Sequence, residues 1–503
     1  MKKIYKKHKV IVPLLFCMIV SFVILFFTTR NSFFYAFNNW VDENAFFTVG
    51  KSWYRGVIPY LGLFEQKGPL LYLLFGLGSL ISYRSFVGIF IFEIITVGIF
   101  LYLVFKTSKL FISDRDSFLV VPIVGAIICS SFAFAKGGSA EEFCLPLVMY
   151  LLYSVCNSLV VKKEMSYKSL FINGLLCGMV FCIKYTMVGF WFGFMVFLLI
   201  YLLSSKEYKR ALFSTLIFLL GMFIPFGLFS LYFALVGGFK AFINTYIWFN
   251  IFGYVDSNVK ALSLFNRVGI IVKYFLYNCG YNIFVFLFIL LGFLYFGFTE
   301  DKHKNLIIKL FMLFILIGAF FFTYWGCKNY RYYYLILEVF SVFGLIAIFK
   351  LLDIKKKSIS IISIVVVIGL SIFCISRSDN LSYHKRSKSN IVQYQFAKII
   401  NKKKEATLLN YGSLDGGFYM TTGIIPNTRY FESQNAVVPG MAKTLNKMIS
   451  AGKFDFIVVR DNCGYKVNIG EEFSKYKLIK TVREINDETA NRCYLTYHLY
   501  EKK

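Results

Sequence analysis

The sequence predicts a polytopic α-helical membrane protein of about eleven transmembrane helices with a small C-terminal α/β domain. Three observations carry this reading. Of 503 residues, 58% are hydrophobic, 20% aromatic and only 16% charged, outside the range of soluble chains. The apolar residues come in runs long enough to cross a bilayer core. Lys and Arg cluster in short groups between those runs, so the formal net charge of +28 reads as basic cytoplasmic loops and excludes nucleic acid as a partner.

Met1 to Lys9 holds five lysines ahead of the apolar run Val10 to Phe27. That run is about 27 Å long as a helix and spans the membrane from a cytoplasmic N-terminus. No small-residue cleavage site follows, so the helix stays as an anchor and residues 29–85 form the first external loop. Within it, Phe46, Val49, Gly50 and Trp53 recur at helical spacing, as in a helix lying along a membrane surface. Pro69 opens the next apolar helix at the position where proline fits best. Leu70 to Ser82 is too short to cross, reaching about 21 Å with Pro69, and is re-entrant or interfacial.

Treating that helix as non-crossing puts Lys106, Lys109 and Arg115 inside after the crossing Phe86 to Phe105. Phe118 to Phe134, Phe143 to Val161 and Leu170 to Ile183 then alternate, with Lys162 and Lys163 inside. From Met187 the chain returns to Lys206, Lys209 and Arg210. Ala211 to Val236 goes out, and a crossing ending near Phe298 comes back. Leu306 to Trp325, Tyr332 to Leu352 and Ile359 to Ile375 complete the set around the basic Lys355, Lys356 and Lys357.

Residues 1–376 thus form the membrane domain, and residues 377–503 an extracytoplasmic α/β domain. In the latter the apolar runs shorten to strand length at Thr407 to Tyr411, Phe454 to Val459, Leu478 to Val482 and Tyr494 to Tyr500. Helical patterns at Ile391 to Ile400, Ala436 to Ser450 and Glu471 to Tyr476 alternate with them. Of eleven cysteines only Cys463 and Cys493 lie in polar sequence, where an external location permits a disulfide.

The chemistry concentrates on the outer face. Asp42 and Glu43 open the first-loop helix, a position that serves a helix cap and a general base alike. Glu65 and Lys67 form a second polar knot. A lysine just before a helix N-terminus is electrostatically misplaced unless an anion sits there, and with Gly68 and open N–H groups it suits a phosphate. Glu141 and Glu142 form an acidic pair in the next external loop, and Lys184 sits between two closely spaced crossings. Arg331, followed by Tyr332, lies in the aromatic run NYRYYY, suited to gripping a phosphate beside stacking rings or to an interfacial aromatic belt. Lys51, Lys136 and Lys328 read equally well as side chains snorkelling at the membrane edge. One carboxylate base with several cations fits transfer from a phosphate-linked donor. Glycoside hydrolysis would require a second carboxyl group to protonate its leaving alkoxide.

These residues resemble the GT-C membrane glycosyltransferases of the protein-O-mannosyltransferase and aminoarabinose-transferase type, which use polyprenyl-phosphate sugars. The resemblance rests on Asp42-Glu43 soon after the first helix, GVIPY, FEQKGPLLYLLFGLG, GGSAEEF, CIKYT and KNYRYYY, and covers residues 1–376. It implies a multi-pass enzyme of the plasma membrane that transfers a sugar, with inversion, to an acceptor hydroxyl on a cell-envelope glycan, lipid or protein. It further implies Asp42 as base with Glu43 beside it, and Lys67, Lys184, Arg331 and Tyr332 around the donor phosphate. Glu65, Glu141 and Glu142 would serve a divalent metal ion or the acceptor. The alternatives are a lipid-linked sugar flippase, for which Glu93 and Glu338 are the intramembrane acids, and a polysaccharide polymerase or ligase. The latter class acts through late-loop arginines or histidines, and none of His8, His303, His384 and His498 lies in such a loop.

Overall fold

The computed structural model describes residues 10–162, 164–255, 257–295, 299–352, 359–434, 436–485 and 493–503. The lysines of Met1 to Lys9, Lys163, Phe298 and Lys355 to Lys357, used above to orient the chain, lie outside the described residues. The principal helices in chain order are α1 (Ile11–Thr28), α2 (Val41–Trp53), α3 (Pro69–Ile81), α4 (Val87–Ser108), α5 (Asp114–Cys129), α6 (Ala140–Asn157) and α7 (Tyr167–Phe181). They continue with α8 (Gly189–Ser204), α9 (Tyr208–Leu235), α10 (Leu264–Tyr281), α11 (Ile283–Leu294), α12 (Lys302–Tyr324), α13 (Ser341–Leu352) and α14 (Ile359–Ser376). Helices α15 (Val392–Ile400), α16 (Phe418–Thr422) and α17 (Met441–Ser450) alternate with strands β1 (Leu408–Tyr411), β2 (Phe456–Asn462), β3 (Tyr476–Ile485) and β4 (Tyr494–Lys502).

Seven helices among the described residues are long and apolar enough to cross a membrane, or nine if two sharply bent pairs each count as one span. The chain is a multi-pass membrane protein. Two of the eleven expected crossings, Phe118 to Phe134 and Leu170 to Ile183, correspond to α5 and α7, which have 16 and 15 residues. At about 24 and 22 Å they fall short of a bilayer core, which separates the expected count from the observed one. The expected non-crossing helix is α3, with Pro69 at its first position and 13 residues in all.

The chain divides into two compact units. The first comprises residues 1–34, 90–229 and 261–383. Its helices meet through glycines. A Cβ on Gly174 or Gly178 of α7 would lie 2.0 or 2.2 Å from the Phe218 or Met222 carbonyl oxygen of α9. On α8 the pair Gly189 and Gly193 meets Gly318 and Phe314 of α12 in the same way, at 2.4 and 2.0 Å. Lipid supplies no hydrophobic drive between helices, so such close backbone packing takes its place.

The second unit comprises residues 35–89, 230–260 and 384–503, joining the first loop to the C-terminal sequence. Helices α2 and α3 cross where a Cβ on Gly50 would stand 2.5 Å from the Gly76 nitrogen and the Tyr72 carbonyl oxygen. The C-terminal sheet has strand order β1-β2-β4-β3, with β1 parallel to β2 and the other pairs antiparallel. Leu445 and Ile449 of α17 pack with Leu409, Ile457, Val459, Phe473 and Tyr476 to form its core. The four expected strands are present, β3 and β4 running longer than the apolar pattern marked; of the expected helices, Ile391 to Ile400 is α15, Ala436 to Ser450 is helical only from Met441, and Glu471 to Tyr476 is a short 3-10 turn, Glu471–Lys475, leading into β3.

Candidate functional site

In the second unit the first turn of α2 carries Asp42 and Glu43 after Trp40 as N-cap. Asp42 is partly exposed. Glu43 is fully buried and accepts a hydrogen bond from the Asn38 amide. The Asn44 amide reaches back to the carbonyls of Trp40 at 2.8 Å and Asn38 at 3.1 Å, so the approach to the helix is fixed on both sides. Glu65, 5% exposed, accepts from the Lys67 backbone N–H at 2.9 Å and from the Tyr72 hydroxyl. Burial pushes the Glu65 carboxyl up, against the Lys67 charge and backbone hydrogen bonds. The Lys67 ammonium stands 5.4 Å over the Phe46 ring.

The C-terminal segment is bonded into this loop. Thr48 of α2 donates to Asp415 Oδ2 at 2.6 Å, and the Gly417 N–H to Asp415 Oδ1 at 2.8 Å. The Asp415 N–H donates to Glu432 Oε2 at 2.6 Å. Gln434 Nε2 donates to Glu432 Oε1 at 3.1 Å and to the Phe64 carbonyl at 3.4 Å, while the Phe64 N–H donates to the Arg429 carbonyl at 2.8 Å. Lys51 does not snorkel. It is 1% exposed, and its ammonium donates to the Tyr419 carbonyl at 2.8 Å with the Tyr83 ring at 4.8 Å. Burial pulls Lys51 down to about 7, Asp415 opposing the shift and Arg84 and Arg55 adding to it.

In the first unit Glu141 and Glu142 diverge. Glu141 pairs with Lys184 in a buried ion pair, and the Lys184 ammonium lies 4.3 Å from the Tyr333 ring and 5.0 Å from that of Tyr332. Glu142 completes a capping arrangement. Its N–H donates to Ser139 Oγ at 2.9 Å, and its Oε2 accepts the Gly138 N–H at 2.8 Å. The Ser139-Ala140-Glu141-Glu142 spacing is the signature of a capping box and could have shown this from sequence. Arg331 donates to the Phe132 carbonyl at 2.6 Å and pairs with Asp379 at 3.1 Å; Tyr332 stacks on Tyr330 at 5.4 Å. Glu93 Oε1 accepts from Thr29 Oγ1 and the Gly138 N–H, both at 2.8 Å.

Among the described residues no group of three or more His, Cys, Asp or Glu is arranged to hold a metal ion. Glu65, Asp415 and Glu432, the buried carboxylates around the first loop, already accept hydrogen bonds from protein donors. This donor set does not fit an ion. Asp415, Glu432 and Gln434 escaped the sequence reading because Thr48 and Asp415 are 367 residues apart and nothing local announces their contact.

Residues 66–233 match the model of the dolichyl-phosphate-mannose-protein mannosyltransferase family. No curated protein matches the chain in sequence. Among solved structures, ArnT from Cupriavidus metallidurans bound to undecaprenyl phosphate is similar at a TM-score of 0.55 and 10% identity, over 90% of this chain and 92% of that one. The oligosaccharyltransferase AglB from Archaeoglobus fulgidus, in complex with an inhibitory peptide and a dolichol-phosphate, is similar at 0.53 and 11% identity, over 90% and 70%. The Archaeoglobus fulgidus oligosaccharyltransferase in complex with Zn and sulfate gives 0.54 and 12%, over 89% and 67%. The chain has the GT-C fold of these membrane proteins.

Proposed function

We propose that the chain is a membrane glycosyltransferase moving a sugar, with inversion, from a polyprenyl-phosphate donor to an acceptor hydroxyl on a cell-surface glycan, lipid or protein. The observation that carries the reading is the exposure of Asp42. Glu43, Glu65, Asp415 and Glu432 are buried at 0, 5, 0 and 2% exposure, whereas Asp42 is partly open at the start of α2. A base must reach its substrate, so Asp42 takes the acceptor's proton. The acceptor oxygen bonds to the anomeric carbon as the bond from that carbon to the phosphate oxygen breaks, and the phosphate leaves with the electron pair. Lys67, in the same unit as Asp42, is assigned to the donor phosphate, where a cation stabilises the departing charge. Glu43 is assigned to holding the α2 entry through Asn38.

The family match over residues 66–233 and the lipid phosphates in the ArnT and AglB structures support a polyprenyl-phosphate donor. The disulfide between Cys463 and Cys493 supports an extracytoplasmic C-terminal domain, and with it a cytoplasmic N-terminus and reaction at the outer face. The test is transfer by purified protein in liposomes from a panel of radiolabelled polyprenyl-phosphate sugars to a cell-envelope acceptor. It is run in chelator and in added divalent cation to read any metal requirement. Asp42→Asn should reduce turnover by about 10² to 10⁴-fold while donor binding persists. Unchanged turnover in Asp42→Asn would refute the assignment, and donor movement across the bilayer without transfer would favour a flippase.

A further inference from the structure

We infer that the C-terminal domain is part of the reaction machinery, and that Glu432 is a positioning residue for the Asp42 and Glu65 carboxylates of the first loop. The inference rests on the glycosyltransferase reading above and adds a residue far outside the matched family segment, which ends at 233.

The geometry is a continuous chain of bonds through one buried carboxyl group. From Thr48 on α2, bonds run to Asp415, from the Asp415 N–H to Glu432, and from Glu432 through the Gln434 amide to the Phe64 carbonyl. Phe64 is the residue before Glu65, and its own N–H is held by the Arg429 carbonyl at 2.8 Å. Glu432 thereby links the helix bearing Asp42 to the strap bearing Glu65 and Lys67. Removing it breaks this chain of bonds and leaves a buried Asp415 N–H without its acceptor.

The surrounding charges give Glu432 a second property. It faces Asp415, Glu65 and Asp42; Lys67 faces Glu65, and Lys51 and Arg460 face Asp415. Burial first, then those three carboxylates, push the Glu432 carboxyl well above the usual range, against the Asp415 backbone hydrogen bond.

The experiment compares native protein, Glu432→Gln, Glu432→Ala and Asp42→Asn for kcat, KM and melting temperature, with hydrogen exchange over residues 41–68. Glu432→Ala should lower kcat by about ten- to a hundredfold, the scale of a misplaced reacting group, with KM little changed. It should also raise exchange in α2 and residues 64–68. Glu432→Gln, which keeps the shape of the side chain and one of its two acceptor oxygens, should recover part of the lost kcat and return exchange toward the native level. Native kcat and exchange in both Glu432 variants, with Asp42→Asn inactive, would overturn the inference and leave the transferase reading intact. An active Asp42→Asn would overturn that reading itself, and the exchange data, which need no turnover, would still decide whether Glu432 ties the loop.

Discussion

Lys51 offers the sharpest test of how the C-terminal segment docks on α2. Its ammonium is buried against the Tyr419 carbonyl and pulled from an ordinary 10.5 to about 7. A depressed lysine makes the folded state the weaker proton binder, so stability rises with pH between about 7 and 10.5 and is lowest below 7, where both states carry the proton. Taking the pH from about 7 to 9 favours the deprotonated folded form by about fiftyfold while the unfolded chain stays protonated, a gain of about 2 kcal/mol. Lys51→Met keeps the length of the side chain and removes the titration. Denaturant unfolding of detergent-solubilised protein at the two pH values should show the native chain gaining about 2 kcal/mol more than the variant. Asp415, Arg84 and Arg55 face the same amine and remain in both proteins, and the difference reads Lys51 together with its coupling to Asp415. Equal gains in the two would mean that Lys51 is solvated and the C-terminal segment does not cover it.

Other perturbations follow from the same contacts. Gly417 has φ +88°, and a Cβ there would stand 2.5 Å from Phe37 and 2.6 Å from Asn44 Oδ1. Gly417→Ala should destabilise the second unit by about 1–3 kcal/mol and raise hydrogen exchange in α2. In the first unit, Lys184→Met strands Glu141 as an uncompensated buried charge and should cost about 3–5 kcal/mol in unfolding experiments. The double variant Lys184→Met/Glu141→Gln should recover most of that loss, and a cycle with no recovery would argue against a direct pair.

The fold was legible wherever the signal is local. Hydropathy placed α1, α4, α6, α9, α12 and α13, the three- and four-residue spacing from Phe46 to Trp53 placed α2, and Pro69 placed the start of α3. Shortening apolar runs placed the four strands. The site was legible only in its residue types. Lys51 looked like a membrane-edge lysine because its burial is created by Tyr419 and Ile424, more than three hundred positions away. Glu432 and Asp415 looked like ordinary acids of a basic domain for the same reason. Their partners are set by tertiary docking, which leaves no periodicity in the sequence. Glu142 is different, since its capping role was written in four consecutive residues.

The neighbours of the first unit's cations rank them as anion ligands. A phosphate recruiting Lys184 would have to displace Glu141, whose side chain is 1% exposed, and leave that carboxylate buried without its partner. Breaking such a pair costs several kcal/mol. Arg331 is held by an Asp379 side chain that is 57% exposed, and exposed pairs are worth about 0–1 kcal/mol, so an incoming phosphate displaces Asp379 at little cost. The Phe132 carbonyl bonded to Arg331 Nε meanwhile fixes the plane of the guanidinium, which suits a planar, directional anion contact. Arg331 is thus the stronger anion ligand of the two, because Lys184 already has its charge matched by Glu141, with the Tyr333 and Tyr332 rings 4.3 and 5.0 Å away.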